Sequence, residues 1–144
     1  MEAIMSQYNS LLMQPEPSFM ISIANNDYSR WNCVMEGPPD TPYAGGIFHF
    51  TMDLANYPNT CPVIVFQTPI YHPNISPEGG MCWDLYYGKW IRTIPIRIVF
   101  TYLIGLLANP TSHQNSLQEA DNLLKTNREM FNLRAREYTQ RYAK

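Results

Sequence analysis

The chain has 144 residues, enough for one domain with a single sizeable core, and no repeat or low-complexity linker divides it, so residues 1–144 are read as one domain. Hydrophobic residues make up 45% and charged residues 15%, which excludes a disordered chain, and a net charge of −2 removes the electrostatic case for a nucleic-acid binder. Three cysteines (Cys33, Cys61 and Cys82) cannot all pair and form no Cys-x-x-Cys, so neither a disulfide framework nor a zinc site is indicated. The N-terminus carries no basic-then-apolar leader. The longest apolar run, Ile94 to Ala108, contains Pro95 and Arg97 and is too short to span a bilayer. The expectation is a soluble intracellular protein, cytoplasmic or nuclear, that binds no membrane.

In chain order, Ile4, Tyr8, Leu11 and Leu12 fall at helical spacing, and Pro15 stops that helix. Phe19 to Ile23 and Trp31 to Met35 predict short strands. Phe48, Phe50, Met52 and Leu54 alternate with His49, Thr51 and Asp53, the period of a half-buried strand, with Gly45-Gly46 as the turn before it. Val63 to Phe66 predicts a fourth strand. Strands this close in sequence favour an antiparallel meander. Residues 67 to 93 carry three prolines and three glycines, and a structureless stretch of that length points to function. Pro95 predicts the first residue of a helix and Pro110 its end. This helix is apolar nearly all round, so burial is expected. Capping boxes at Ser116 with Glu119 and Thr126 with Glu129 predict two further helices, the last with Phe131, Ala135, Tyr138 and Tyr142 on one face. The fold class is therefore α+β: an N-terminal helix, a four-stranded antiparallel meander, an irregular site region and three C-terminal helices.

The irregular region holds His72-Pro73-Asn74-Ile75, then Gly79-Gly80-Met81-Cys82-Trp83-Asp84, then Trp90. Cys82 is the natural nucleophile, although its acidic neighbours Glu78 and Asp84 do not favour a thiolate and no His is fixed beside it by sequence. Such a thiol suits exchange with an already activated acyl group better than attack on a peptide bond; the competing reading is a buried packing thiol. Asn74 either donates to an oxyanion or orders the loop after the proline, and both roles are compatible. Asp84 either orients an incoming amine or takes its proton, or is a solvated loop carboxylate. His72 is read as structural, His49 as exposed, Cys33 and Cys61 as packing residues. Trp83 and Trp90 are core anchors or shields of the thiol.

These residues resemble the signature of the ubiquitin-conjugating enzyme family. The run Pro38 to Phe48, Asn56-Tyr57-Pro58 with Pro62, His72-Pro73-Asn74 with Cys82 ten residues after the His, Asp84 and Trp90 all match its pattern. Thr126-Asn127-Arg128-Glu129 and Ala135 to Gln140 are similar to the minimal, broadly acting ubiquitin conjugators. The resemblance implies that an activating enzyme, having used ATP, passes ubiquitin or a ubiquitin-like protein to Cys82 as a thioester. Asn74 then supports the oxyanion or its loop, and Asp84 helps to position the substrate lysine or lower its pKa. Transfer to that lysine proceeds with a RING-type ligase, or to the cysteine of a HECT-type ligase. No cofactor or metal is bound by this chain itself.

Departures from the family pattern fall on its partner surfaces. No Lys or Arg precedes Arg30, and Met5 stands where a basic residue is common. Asn59 replaces a frequent aromatic, and Arg92 replaces a proline that RING domains touch. Thr111-Ser112-His113-Gln114 lacks the usual acidic gate. Lost surface charges slow association. These departures keep open a second reading, a conjugation-deficient binding adaptor of the same fold. A third, a cysteine hydrolase, has no supporting signature around Cys82 or any His.

Overall fold

The computed structural model describes residues 1–111 and 117–144. Helix α1 (Glu2–Met13) leads into four strands, β1 (Phe19–Ala24), β2 (Asp27–Glu36), β3 (Ile47–Asp53) and β4 (Val63–Phe66). After the irregular stretch come α2 (Ile96–Ala108), α3 (Gln118–Thr126) and α4 (Arg128–Tyr142). The expected α+β order holds.

The strands form one antiparallel sheet in the order β1-β2-β3-β4. Asn25 and Asn26 turn β1 into β2 with φ of 53° and 60°, the left-handed pair that matches strand twist in a two-residue hairpin. The alternation read from β3 is met: Phe48, Phe50 and Met52 are buried and His49 is exposed. Cys33 of β2 pairs with Phe50, and Phe50 with Phe66 of β4, so one face of the sheet presents a continuous apolar layer.

Helix α2 lies on that layer. Phe100 stacks on Phe19 at 4.3 Å between ring centroids and meets Phe50 edge-on at 6.4 Å. Burying each such side chain stabilises the fold by about 1.5–3 kcal/mol. The expectation that α2 is buried all round needs correction. Val99, Leu103 and Leu107 are buried, but Ile98 and Tyr102 are exposed on the opposite side. One sheet can cover only one stripe of a helix, and apolar composition does not supply a second cover.

Two other expectations change. Helix α4 is capped by Asn127, whose side-chain oxygen accepts the N–H of Met130, and not by Thr126 with Glu129. The Thr126 hydroxyl instead donates to the Asn122 carbonyl and finishes α3. The Ser116 capping box lies outside the described residues. On α4 the buried stripe is Phe131, Ala135 and Thr139, while Tyr138 and Tyr142 are exposed and pack on each other.

Gly79 fastens the irregular region to the sheet: its carbonyl accepts the N–H of Phe66, and its φ is +93°. A Cβ there would sit 2.0 Å from the Phe66 carbonyl oxygen. Gly79→Ala is expected to lower unfolding stability by about 2 kcal/mol or more, read from urea denaturation, with the secondary-structure signal of the remaining fold retained.

Candidate active site

From the end of β4 the chain leaves the sheet and is held by side chains. The Thr68 hydroxyl accepts the N–H of His49, and the Tyr43 hydroxyl donates to the Tyr71 carbonyl at 2.6 Å. His72 follows, wholly buried. Its Nδ1 accepts the N–H of Asn74 at 3.0 Å, which places the ring proton on Nε2, where it donates to the Leu106 carbonyl of α2 at 2.9 Å. Burial depresses its pKa from 6.5 to about 4, so the ring is neutral. His72 therefore acts structurally, as its place before Pro-Asn indicates.

Asn74 is 1% exposed. Its Nδ2 donates to the carbonyls of Cys82 and Thr111, both at 2.9 Å, and its Oδ1 accepts the N–H of Thr111 at 3.1 Å. In return the Cys82 N–H donates to the Asn74 carbonyl at 2.8 Å. Asn74 and Cys82, eight residues apart, are thus locked together and to the segment that follows α2. Ile75, fully buried, bridges to His72 on one side and to Met81 on the other. Leu117 donates to the Pro73 carbonyl at 2.8 Å and brings the start of α3 against the same loop.

The three thiols differ in environment. Cys33 and Cys61 are buried, and burial pushes the Cys61 thiol up to about 12 and that of Cys33 higher still. Cys82 alone is partly exposed. Asp84, two residues on, is exposed and opens a short 3-10 turn, Asp84–Tyr86, within a stretch expected to be structureless. A groove of about 790 Å³ runs between this turn and the uncovered side of α2, with Trp83, Asp84, Ile98, Tyr102 and Asn109 among its walls.

Trp83 is buried against Tyr86 at 5.8 Å. Trp90 lies elsewhere: its indole N–H donates to the Pro58 carbonyl at 2.9 Å and its ring meets Tyr57. The Tyr57 hydroxyl donates to the Ile94 carbonyl, and the Gln7 side chain of α1 accepts the N–H of Ile96. Helix α1 with Met5, the loop with Asn59 and the loop with Arg92 therefore converge at the N-terminal end of α2, and all three side chains are exposed. The sequence-predicted site residues fall into two groups: Cys82, Asn74 and Asp84 near one end of α2, the partner positions near the other. His113, in the run that lacks the acidic gate, lies outside the described residues. Thr111, the hydrogen-bond partner of Asn74, carries no sequence signal beyond following Pro110.

A neutral buried His72 makes stability pH-dependent. Its folded pKa lies below the unfolded value, so the unfolded chain binds the extra proton; the stabilisation is complete above pH 6.5 and is lost as the pH falls toward 4. Urea unfolding is expected to show a loss of about 2 kcal/mol between pH 7.5 and pH 5 from this group, and His72→Gln is expected to flatten that part of the profile.

Comparison with known proteins agrees with this geometry. A family model described as ubiquitin-conjugating enzyme matches residues 3–139. A protein of Arabidopsis thaliana, probable ubiquitin-conjugating enzyme E2 31, is 35% identical over 143 residues, covering 99% of this chain and 92% of the relative. The chain belongs to the ubiquitin-conjugating enzyme family.

Proposed function

We propose that Cys82 is the residue that carries ubiquitin, or a ubiquitin-like protein, as a thioester received from an activating enzyme. The observation that carries this reading is the contrast among the thiols: two are buried with raised pKa values, and only Cys82 is open to solvent. Membership of the family implies ubiquitin, an activating enzyme and ligases as partners in general. The chemistry needs only exchange. The thiolate of Cys82 attacks the carbonyl of the incoming thioester, and the thiol of the activating enzyme leaves. A lysine amine, or the cysteine of a ligase, later takes the acyl group and returns Cys82 as a thiol.

Asn74 serves this reaction by fixing the loop. Both of its amide protons already meet backbone carbonyls, so it reaches a developing oxyanion only by releasing one of them. Asp84, exposed beside the thiol, positions the acceptor amine. The whole of residues 1–144 forms the catalytic domain. RING-type or HECT-type ligases and the activating enzyme meet the surface around Met5, Asn59 and Arg92, in the cytoplasm or nucleus, without nucleic acid or membrane. Among the described residues no helix is long and apolar enough to cross a membrane.

A second reading, an adaptor that binds without conjugating, is favoured by that same surface, where no Lys or Arg precedes Arg30. One experiment separates the two. Purified protein is mixed with activating enzyme of the same organism, ubiquitin and ATP, and run on gels with and without reductant. A shifted band that reductant removes, and that Cys82→Ala lacks, is expected. Absence of the band with ubiquitin and with related cargoes, while a control conjugator charges, would favour the adaptor. Asp84→Ala is expected to charge normally yet discharge to free lysine roughly 10- to 100-fold more slowly in single-turnover assays.

A further inference from the structure

Thr111 meets Asn74 through its N–H, its carbonyl and its hydroxyl. The Asn74 Oδ1 accepts the Thr111 N–H at 3.1 Å, and the Asn74 Nδ2 lies 2.9 Å from the Thr111 carbonyl and 3.4 Å from the Thr111 Oγ1. The same nitrogen donates to the Cys82 carbonyl at 2.9 Å. A side-chain amide has two protons to give. Cys82 and Thr111 therefore offer one acceptor more than the amide can fill, and the longest contact, to the Thr111 hydroxyl, is the one in surplus.

The main chain fixes where that hydroxyl stands. Helix α2 closes with the Asn109 N–H on the Gly105 carbonyl at 2.8 Å. Pro110, its φ locked by the ring, then delivers Thr111 to Asn74. Asn74 is buried, whereas Thr111 is exposed and borders the same groove as Asp84. The buried amide is thus flanked by the thiol residue on one side and by a groove residue on the other.

We propose that Thr111 is a positioning residue for acyl transfer: its hydroxyl is the second acceptor that holds the Asn74 amide while one amide proton turns from the Cys82 carbonyl to the oxyanion. The inference rests on the thioester reading of Cys82. The acceptor amine attacks the thioester carbonyl, a C–N bond forms, and the carbonyl oxygen takes on negative charge. One Asn74 proton follows that charge. The other slides from the Thr111 carbonyl toward the Thr111 Oγ1 as the amide rotates, and stays bonded throughout. Collapse restores the C=O, breaks the C–S bond and releases Cys82 as a thiolate, which takes up the proton the amine loses. Without the hydroxyl, the same rotation leaves an amide proton unbonded in the interior. That cost falls on the transition state and not on the resting protein.

The test compares Thr111→Val, which keeps the branched shape and both backbone bonds but lacks the hydroxyl, with Thr111→Ser, which keeps the hydroxyl. Each full-length variant is charged with ubiquitin by activating enzyme and ATP, then discharged to free lysine in single-turnover assays. Thr111→Val is expected to slow discharge about tenfold while unfolding at the urea midpoint of the unsubstituted protein. Thr111→Ser is expected to recover most of the rate. Discharge of Thr111→Val at the unsubstituted rate overturns the proposal. So does a Thr111→Ser variant as slow as Thr111→Val, because shape and not the hydroxyl then decides. A urea midpoint that falls together with the rate gives Thr111 a purely structural role and overturns it as well. All three results leave the Cys82 reading intact; absence of any reductant-sensitive band on the unsubstituted protein removes both.

Discussion

Two buried polar side chains, His72 and Asn74, tie the irregular chain that presents Cys82 to helix α2 and to the segment that follows it. Between them they engage the carbonyls of Leu106, Cys82 and Thr111 and the N–H groups of residues 74 and 111. Each backbone group left without such a partner in the interior would cost about 1–3 kcal/mol. The arrangement has little tolerance for substitution, because a side chain must both donate twice and accept once at position 74, and an amide is the group that does so. The neutrality of His72 belongs to the same requirement. A second ring proton would abolish the acceptor that receives the N–H of Asn74.

Helix α2 organises what that network supports. Its buried stripe closes the core over the sheet, its Leu106 carbonyl receives His72, and the residue after Pro110 receives Asn74. At its other end the Ile94 carbonyl accepts the Tyr57 hydroxyl, and the Ile96 N–H donates to the Gln7 side chain. Thirteen residues of helix set these ends about 20 Å apart. The uncovered side of α2 then becomes one wall of the groove beside Asp84.

Much of this was legible in the sequence. β3 could be read because its side chains alternate between core and solvent, and the ends of α2 because prolines stand at both. What failed did so for physical reasons. Thr126 and Asn127 are both capping residues, one position apart, and the choice between them rests on a hydrogen bond from Thr126 back to Asn122 that no spacing rule encodes. Tyr138 and Tyr142 look apolar in a helical stripe, yet their amphipathic rings settle at its solvent edge while Thr139 goes inside. The tie between Asn74 and Thr111 spans 37 residues and leaves no local pattern. The residues alone marked Cys82 as a thiol suited to exchange with an activated acyl group; the identity of its cargo came from the resemblance.

The separation of the two ends of α2 bears on how such a protein can change over time. Stability effects at positions with no shared partners and more than about 10 Å between them add almost independently. Replacements at Met5, Asn59 or Arg92 therefore leave the thiol loop with the stability it had, so this end of the molecule can change without disturbing the other. The reverse freedom does not exist: a change at Asn74 is felt at once by Cys82, because the two residues close one hydrogen-bonded ring.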